Sequence, residues 1–389
     1  MPLPDLAADL AALDARGLRR QRRLLESPQS AHVVVDGRAA IAFCSNDYLG
    51  LAADPRLIAA ARDAAQLYGV GAGASHLVLG HTAPHHELEA TLARFVQLPR
   101  TLLFSTGYMA NIGIVTALVG RADAVFADKL NHASLNDAAL LARADFRRYA
   151  HGDLIALERL LAKSRAPRKL VVTDAVFSMD GDIAPVPQLL QLCERYDAWL
   201  LLDDAHGFGV LGEGGGGVLR HFNIASPRII YMATLGKAAG VSGAFAAGEP
   251  DVIETLVQRA RTYIYTTATP PLLAHVLTAS IGIIAAEEWR RDRLHRLIDQ
   301  LKLDTAGLRW RLMPSDTAIQ PLLIGDNAEA VRVAAALALR GIQVPAIRPP
   351  TVPQGTSRLR ISLSAAHSAE DVARLIDALY QVEKESGCI

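Results

Sequence analysis

Cysteine is scarce in this chain of 389 residues, which has only Cys44, Cys193 and Cys388. Three widely spaced cysteines give neither a disulfide framework nor the paired spacing of a structural zinc site. Their scarcity favours the reducing cytoplasm as the location of the protein. The first residues, Met-Pro-Leu-Pro-Asp, have no basic segment followed by an apolar run, so we expect no signal peptide.

An excess of one charge is also missing, because Lys plus Arg and Asp plus Glu number 40 each. This balance gives no reason to expect nucleic acid or an anionic membrane surface as a partner. The sequence also lacks an uninterrupted apolar run of the length that spans a bilayer. It does have 51% hydrophobic residues, enough for a large core, and a length that predicts two or three domains or lobes.

Two patterns that suggest common sites lack the spacing those sites need. The glycine-rich stretch 69–76 contains no G-x-G-x-x-G and follows a predicted helix instead of a strand, which argues against a dinucleotide-binding loop. A flexible connecting loop, or a loop whose backbone approaches another group closely, explains this glycine-rich stretch better. His85 and His86 are adjacent in the next predicted helix and point to different faces, so they do not predict a metal site.

From residue 100 onward, short apolar runs alternate with helical patterns. Strands are predicted at 101–104, 124–127, 146–149, 169–173, 199–202 and 228–232. The alternation predicts a parallel sheet with helices on both faces, in an α/β domain. Ligands of such sheets bind at the carboxyl ends of the strands.

Polar residues follow the ends of these strands. Lys237 comes after the strand 228–232 among small residues, and a partly desolvated lysine there can form a Schiff base. Taken alone, this stretch is better explained by a solvated loop lysine, because lone lysines are common in loops. Asp203 and His206 follow a wholly apolar strand, where polar groups are costly unless something binds them. His132 also follows a strand, although a lone histidine is weak evidence for a site.

The stretch 105–111 carries small polar residues between a strand and a helix start, which is a natural phosphate cradle, and Tyr108 adds a flat face or a hydroxyl. Pyridoxal phosphate (PLP) needs all of these groups: a lysine for its aldehyde, a carboxylate for its pyridine nitrogen, a histidine against its ring and a phosphate cradle. A nicotinamide enzyme needs no such lysine, and the spacing of zinc ligands is missing.

Seven motifs in this order resemble those of the α-oxoamine synthases, PLP-dependent enzymes of fold type I, over nearly the whole chain. They are Ser45-Asn46-Asp47-Tyr48-Leu49-Gly50, Ser105-Thr106-Gly107-Tyr108, Asn131-His132-Ala133-Ser134, Phe177-Ser178-Met179-Asp180-Gly181, Asp203-Asp204-Ala205-His206, Thr234-Leu235-Gly236-Lys237 and Arg348-Pro349-Pro350-Thr351-Val352-Pro353. The resemblance implies a large PLP-binding α/β domain with a mostly parallel seven-stranded sheet, a smaller α+β C-terminal domain, and a homodimer with sites at the interface.

We place the large domain at 46–285 and the small domain at 286–389. An N-terminal segment at 1–45 holds a predicted helix at 5–25 and two short strands. Helical patterns also cover 249–259 and 270–307, and the last third continues with strands at 319–323, 342–344 and 358–363 and helices at 328–339 and 369–382.

The resemblance implies roles around the cofactor. Lys237 would bond to its aldehyde, and Asp203 would face its pyridine nitrogen. His206 would hydrogen-bond the ring oxygen, and His132 would stack over the ring and border the substrate. The phosphate and nearby atoms would be held by Gly107, Tyr108, Ser178 and Thr234, with Thr266 and Thr267 reaching the phosphate in the partner subunit.

The resemblance also implies substrate contacts. Arg360 would bind the carboxylate of the amino acid. The acyl substrate would meet Asn46, Arg348, Thr351 and one N-terminal arginine. Arg20 fits that arginine by its distance from Asn46, and its neighbours Arg19, Arg22 and Arg23 compete for the role.

Within the family, the run 348–353 favours the biotin-pathway branch, whose reaction joins L-alanine to a pimeloyl thioester, carried by CoA or acyl-carrier protein, with loss of CO2. Glycine C-acetyltransferase, 5-aminolevulinate synthase and serine palmitoyltransferase activities are the alternatives. A regulatory paralogue without activity is disfavoured, because Lys237 is present. His76 and Asp174 stand where arginine and glutamate are usual, and both are expected near the site, where they bear on substrate preference.

Overall fold

The computed structural model describes residues 6–15, 18–19 and 22–386. Its first helix, α1 (Leu6–Ala15), is shorter than the predicted helix at 5–25, because residues 18–19 and 22–24 are not helical. The backbone there pairs with a strand instead: the N–H of Glu26 donates to the carbonyl of Val34 at 2.9 Å. That strand, β1 (His32–Val35), forms an antiparallel hairpin with β2 (Arg38–Ala42).

Seven strands form the central sheet in the order β3-β9-β8-β7-β6-β4-β5. They are β3 (Arg100–Phe104), β4 (Ala124–Asp128), β5 (Asp145–Tyr149), β6 (Lys169–Asp174), β7 (Trp199–Asp203), β8 (Ile229–Thr234) and β9 (Ala244–Gly248). Strand β9 pairs antiparallel with both of its neighbours, β3 and β8, whereas the other neighbouring strands of this sheet pair in parallel. The predicted mostly parallel, seven-stranded sheet is therefore confirmed. Sequence patterns missed β9, because four of its five residues are alanine or glycine, which have low strand propensity.

Helices cover both faces of this sheet. Asp54 caps α2, Thr106 caps α4 and Asp153 caps α6, each with a side-chain oxygen that accepts a backbone N–H. The helices are α2 (Pro55–Tyr68), α3 (Ala83–Val96), α4 (Gly107–Leu118), α5 (Ala133–Ala142), α6 (Leu154–Lys163), α7 (Val186–Arg195), α8 (Val218–Phe222), α9 (Pro250–Arg259), α10 (Arg261–Ile264), α11 (Pro271–Ala286) and α12 (Glu288–Asp304), with a π-helix at His76–Gly80 and a 3-10 turn at Glu213–Gly215.

The helical pattern predicted at 270–307 forms two helices, α11 and α12, which meet at 66°. The residue between them, Glu287, has a non-helical φ of −107° and ψ of 70°. Its carboxylate accepts from Arg56 of α2 at 2.6 Å and from Arg290 of α12 at 2.7 Å, which holds the bend. Within the described ranges no single helix is long and apolar enough to cross a membrane; α11 and α12 reach that length only as this bent pair.

The C-terminal region forms a four-stranded sheet in the order β10-β11-β14-β13. Its elements are β10 (Arg311–Leu312), β11 (Ile319–Gly325), α13 (Asn327–Leu339), β12 (Ile342–Gln343), β13 (Ala346–Ile347), β14 (Ser357–Ser362) and α14 (Ala369–Ser386). The remaining strand, β12, pairs in parallel with β2. The N-terminal hairpin is thus hydrogen-bonded to the C-terminal region, and the boundaries near residues 45 and 285 stay a prediction.

Two apolar cores occupy the two faces of the central sheet. Side chains alternate between them along each strand, so that Phe126 lies in one core and its neighbour Val125 in the other. Burial on both faces explains the continuous apolar runs of the parallel strands. It also leaves the carboxyl ends of β4, β6, β7 and β8 as the edge where polar side chains can gather.

Candidate active site

A cavity of about 120 Å³ lies at the carboxyl ends of these strands and the start of α4. Most of the side chains predicted to contact the cofactor meet here. The lining residues are Gly107, Tyr108, His132, Ser134, Asp174, Val176, Asp203, Ala205, His206, Met232, Thr234 and Lys237. The topology brings together residues that are up to 130 positions apart in the chain, since residue 107 and residue 237 share the cavity.

The Lys237 amine points at a histidine inside this cavity. Its Nζ lies 3.1 Å from Nε2 of His206. Burial lowers the pKa of Lys237, and the nearby carboxyls of Asp203 and Asp174 oppose that shift. Burial, and next the charge of Lys237, hold the pKa of His206 well below its ordinary range. The lysine therefore loses its proton more easily than a solvated lysine and faces a neutral imidazole.

A chain of hydrogen bonds continues from His206 to the predicted carboxylate-binding arginine. Nδ1 of His206 lies 2.7 Å from the hydroxyl of Tyr48, which donates to Oδ1 of Asn46 at 3.1 Å. The same Oδ1 accepts from Arg360 at 3.2 Å, and Arg360 also donates to the carbonyl of Ser178. The guanidinium of Arg360 is buried and held in one orientation by these partners.

Asp203 and His132 are linked by a second chain. The side-chain amide of Asn111 donates to Oδ2 of Asp203 at 2.7 Å and to Oγ of Ser134 at 2.8 Å. That Oγ lies 2.7 Å from Nδ1 of His132. Asp203 Oδ1 accepts from the N–H of Ala205 at 3.1 Å. Both predicted ring contacts, the carboxylate and the imidazole, are therefore fixed by buried partners.

Asp174 adds a second carboxyl group to the cavity wall. It lies directly opposite Asp203 in the register of β6 and β7. Its Oδ1 accepts the N–H of His132 at 3.1 Å. Burial, and next the charge of Asp203, raise the pKa of Asp174 well above its ordinary range. Asp174 therefore keeps its proton to a higher pH than a solvated carboxyl does.

The start of α4 has the geometry of a phosphate cradle. Thr106 engages the third N–H of the helix through its hydroxyl at 3.1 Å, and helix geometry leaves the first N–H groups without intrahelical acceptors. A Cβ added at Gly107 would lie 2.5 Å from Cγ2 of Thr234, so only glycine allows this approach. Tyr108 lines the cavity, with its hydroxyl on Asp137.

Other predicted site residues lie outside the lining of this cavity. Ser178 contacts Arg360 through its carbonyl, on the side of the predicted amino-acid site. Thr266 is half-buried and Thr267 exposed, in the segment before α11. Arg348 and Thr351 lie in the loop between β13 and β14, next to the strand that carries Arg360. Arg20 lies outside the described residues.

The two departures from the family pattern have different positions. Asp174 lines the cavity as expected, whereas the lining does not include His76. His76 instead stacks on Tyr263, with ring centroids 5.0 Å apart, and its Nδ1 lies 3.3 Å from that of His81. Burial, with lesser effects of His85 and His81, lowers the pKa of His76 to about 4. The expectation that His76 lies at the site is therefore wrong for the cavity formed by a single chain.

Comparison with known proteins decides the family. The family model described as aminotransferase class I and II matches residues 38–379. The 8-amino-7-oxononanoate synthase of Nitrosospira multiformis is 65% identical over 370 residues, which cover 95% of this chain and 93% of that protein. The namesake from Nitrosomonas eutropha is 63% identical, with 99% and 100% covered. The chain belongs to the class I and II aminotransferase family, among the 8-amino-7-oxononanoate synthases.

Solved structures agree with this family. A serine palmitoyltransferase from S. paucimobilis with a bound PLP–myriocin aldimine is similar, with a TM-score of 0.93, 29% identity, and 99% of this chain and 98% of that chain covered. An 8-amino-7-oxononanoate synthase from Francisella tularensis gives a TM-score of 0.78 at 29% identity, with 89% and 98% covered. The fold-type I architecture is therefore confirmed for this member of the aminotransferase family.

The sequence alone assigned no role to Tyr48, Asn111 or Ser134. Their side chains contact the predicted site residues His206, Asp203 and His132, respectively. Tyr48 and Ser134 fall inside motifs, so their position was a usable signal. Asn111 is 92 positions from Asp203, and only the folded chain shows that the two side chains touch.

Proposed function

We propose that this chain catalyses the PLP-dependent condensation of L-alanine with a pimeloyl thioester, with loss of CO2, to form 8-amino-7-oxononanoate in biotin biosynthesis. The observation that carries the proposal is the desolvated Lys237 amine, 3.1 Å from His206, in one cavity with Asp203. The names of the relatives at 65% and 63% identity supply the substrate class.

The residues present fit PLP at each of its functional groups. Lys237 can bond to the aldehyde, and the carboxylate of Asp203 can pair with the pyridine nitrogen. Gly107 lets the start of α4 lie close to Thr234, and the first N–H groups of this helix, which have no intrahelical acceptors, can bind a phosphate. When bound, PLP supplies the electron sink that stabilises a carbanion at the α-carbon of an amino acid.

Lys237 then serves the reaction as a base. Its lowered pKa allows the amine to be free of its proton, so that it can take the α-proton of L-alanine and later return a proton to the product. His206 stands beside it as a neutral imidazole, which can donate one hydrogen bond and accept another.

Arg360 is the residue that orients the amino acid. A guanidinium binds a carboxylate through two parallel hydrogen bonds, and burial strengthens that pairing. Asn46 and the carbonyl of Ser178 fix the plane of the guanidinium before substrate arrives. The pimeloyl thioester would enter past Asn46, Arg348 and Thr351, with Arg20 as a further contact, and its carrier is either CoA or acyl-carrier protein.

The proposed active unit is a cytoplasmic homodimer. Exposed apolar side chains of the π-helix, Leu77, Val78 and Leu79, support an interface with a second copy. The segment that holds Thr266 and Thr267 is adjacent, because the N–H of Ala268 donates to the carbonyl of Ala74 at 2.9 Å. An interface here would bring these threonines to the partner's cavity, as the family resemblance implies.

Thiol release tests the reaction directly. The PLP-loaded protein is supplied with alanine, glycine or serine, each paired with acyl thioesters of short, pimeloyl and long chain length on CoA or acyl-carrier protein. We expect L-alanine with a pimeloyl thioester to give the highest kcat/KM, and Lys237→Ala to give none. Preference for serine with a long acyl chain would instead favour the activity named for the serine palmitoyltransferase structure. Absence of both thiol release and a visible PLP band would favour the regulatory paralogue.

A further inference from the structure

Asn111 has an unusual hydrogen-bond pattern for a fully buried amide. Its nitrogen donates to both Asp203 and Ser134, at 2.7 and 2.8 Å. Its oxygen has no partner among the described residues. A buried acceptor without a partner costs free energy. The two hydrogen bonds that the amide nitrogen donates must therefore stabilise this orientation of the amide. The reversed amide would place its oxygen against the Asp203 carboxylate and repel it.

The hydrogen bond from Asn111 to Asp203 affects the charge of that carboxyl group. A second buried carboxyl, Asp174, lies opposite Asp203 in the sheet register. Two neighbouring carboxyls cannot both be ionised at low cost, and N–H donors favour the ionised form of the group they contact. Asn111 and the N–H of Ala205 both donate to Asp203. Asn111 therefore helps to decide that the negative charge lies on the residue that faces the pyridine nitrogen.

The hydrogen bond from Asn111 to Ser134 extends the contact to His132. The backbone N–H of Ser134 donates to Nδ1 of His132 at 3.3 Å, so that nitrogen is an acceptor. The hydroxyl of Ser134, 2.7 Å away, then also donates to Nδ1 and accepts the second hydrogen of Asn111. Nδ1 of His132 therefore accepts from both donors of Ser134. This leaves the imidazole proton on Nε2 and fixes the plane of the ring.

We propose that Asn111 is a positioning residue for the PLP reaction, whose single amide holds the carboxylate of Asp203 and, through Ser134, the ring of His132. This proposal rests on the proposed function, because the two groups that it holds act on the cofactor ring. Asn111 itself touches neither cofactor nor substrate in this role. Its contribution lies in fixing both ring contacts at once from a rigid helix.

The test compares Asn111→Asp, which keeps the shape of the side chain, with Ser134→Ala and with Thr116→Ala as a control on the same helix. Three quantities are measured: the PLP dissociation constant of each apoprotein by titration of the visible band, and kcat and KM for alanine at saturating PLP. Circular dichroism and the unfolding midpoint verify the fold. If Asn111→Asp fails to fold, Asn111→Ser replaces it, since the shorter hydroxyl cannot bridge both acceptors.

We expect Asn111→Asp to weaken PLP binding and lower kcat, each by roughly tenfold to a hundredfold, because a carboxyl group replaces the N–H donors and its oxygen repels the buried carboxylate of Asp203. KM for alanine should change by less than about threefold, because the Arg360 contacts are intact. Ser134→Ala should lower kcat with a smaller effect on PLP affinity, and Thr116→Ala should change neither quantity.

If folded Asn111→Asp keeps the PLP affinity and kcat of the wild type, the positioning role is overturned. The proposed function would still stand, provided that the wild type is active. Equal losses in kcat and PLP affinity for Thr116→Ala would also overturn it, because they would show a general response of the helix. A wild-type protein that binds no PLP would contradict the proposed function itself, and with it this inference. General destabilisation is recognised by the unfolding midpoint, because a smaller active fraction also lowers the apparent kcat at constant KM.

Discussion

The hydroxyl of Tyr48 lies 2.7 Å from Nδ1 of His206, on the opposite side of the imidazole from the Lys237 amine, which is 3.1 Å from Nε2. Tyr48 is fully buried, and its hydroxyl also donates to Oδ1 of Asn46 at 3.1 Å. A neutral imidazole carries one N–H, so the partner on Nδ1 controls which nitrogen holds the proton. Because the Tyr48 hydroxyl donates its hydrogen to Asn46, it accepts from Nδ1 of His206, which leaves Nε2 as an acceptor facing the Lys237 amine.

Tyr48→Phe removes that hydroxyl and leaves Nδ1 of His206 without this partner. We expect kcat to fall by roughly tenfold, because a buried polar group that loses its partner costs about 1–3 kcal/mol. Steady-state thiol release measures the effect. Tyr149→Phe is the matched control, since Tyr149 is also buried but lies on the edge strand β5. Equal kcat in Tyr48→Phe and wild type would contradict the role.

Gly107→Ala tests the close approach between α4 and β8. The new Cβ would lie 2.5 Å from Cγ2 of Thr234, so one of the two must move at the phosphate cradle. We expect PLP affinity to fall by at least roughly tenfold, since overpacking of this kind costs about 1–3 kcal/mol. Titration of the apoprotein with PLP measures it.

Gly120→Ala is the control for this substitution. Gly120 follows the other end of α4, and a Cβ there meets nothing within 4 Å. The control should bind PLP like the wild type. Equal affinity for Gly107→Ala and Gly120→Ala would mean that the space beside Thr234 does not hold the cofactor.

His151 joins the two loops that carry site residues. Its Nδ1 lies 3.1 Å from Asp128, at the end of β4, and its Nε2 lies 3.0 Å from Asp182, in the loop after β6. These carboxylates raise the pKa of His151 from 6.5 to about 10. A base with a raised pKa stabilises the fold fully below its unfolded pKa and loses that effect as pH rises through the folded pKa.

His151→Gln should therefore be less stable than the wild type at pH 6.5, and the difference should shrink as pH rises toward 10. Because the imidazole is 33% exposed, solvent screening limits the expected loss in unfolding free energy to roughly 1 kcal/mol. Denaturant unfolding of both proteins at the two pH values measures it. A difference that stays constant or grows with pH would rule out a charged His151.

The central sheet and most of the cofactor cavity could be predicted from the sequence because both depend on local patterns. Strands buried on both faces appear as apolar runs, and the residues after them, such as Asp203 and Lys237, meet at one edge by topology alone. Strand β9 was missed because four of the five residues of Ala244–Gly248 are alanine or glycine, which show no strand pattern.

The hydrogen bonds that orient the site could not be predicted, because they depend on contacts between distant segments. Arg360 reaches Asn46 across 314 positions, and neither residue's neighbours reveal that contact. The break between α11 and α12 has the same origin, since Arg56 holds Glu287 from 231 positions away. Family resemblance supplied roles for Arg360 and Asn46, whereas only the structure shows the contacts of Tyr48, Asn111 and Ser134 with the site residues.

The central claim is that Lys237 holds the cofactor, and chemical trapping tests it most directly. The PLP-loaded protein is reduced with borohydride, which makes the lysine–cofactor bond permanent, and its peptides are mapped by mass spectrometry. We predict one phosphopyridoxyl group per chain, on Lys237, because burial lowers the pKa of this amine and the cavity surrounds it. A reduced adduct mainly on a different lysine, such as the exposed Lys129, or no adduct in a protein that shows the visible PLP band, would contradict the account.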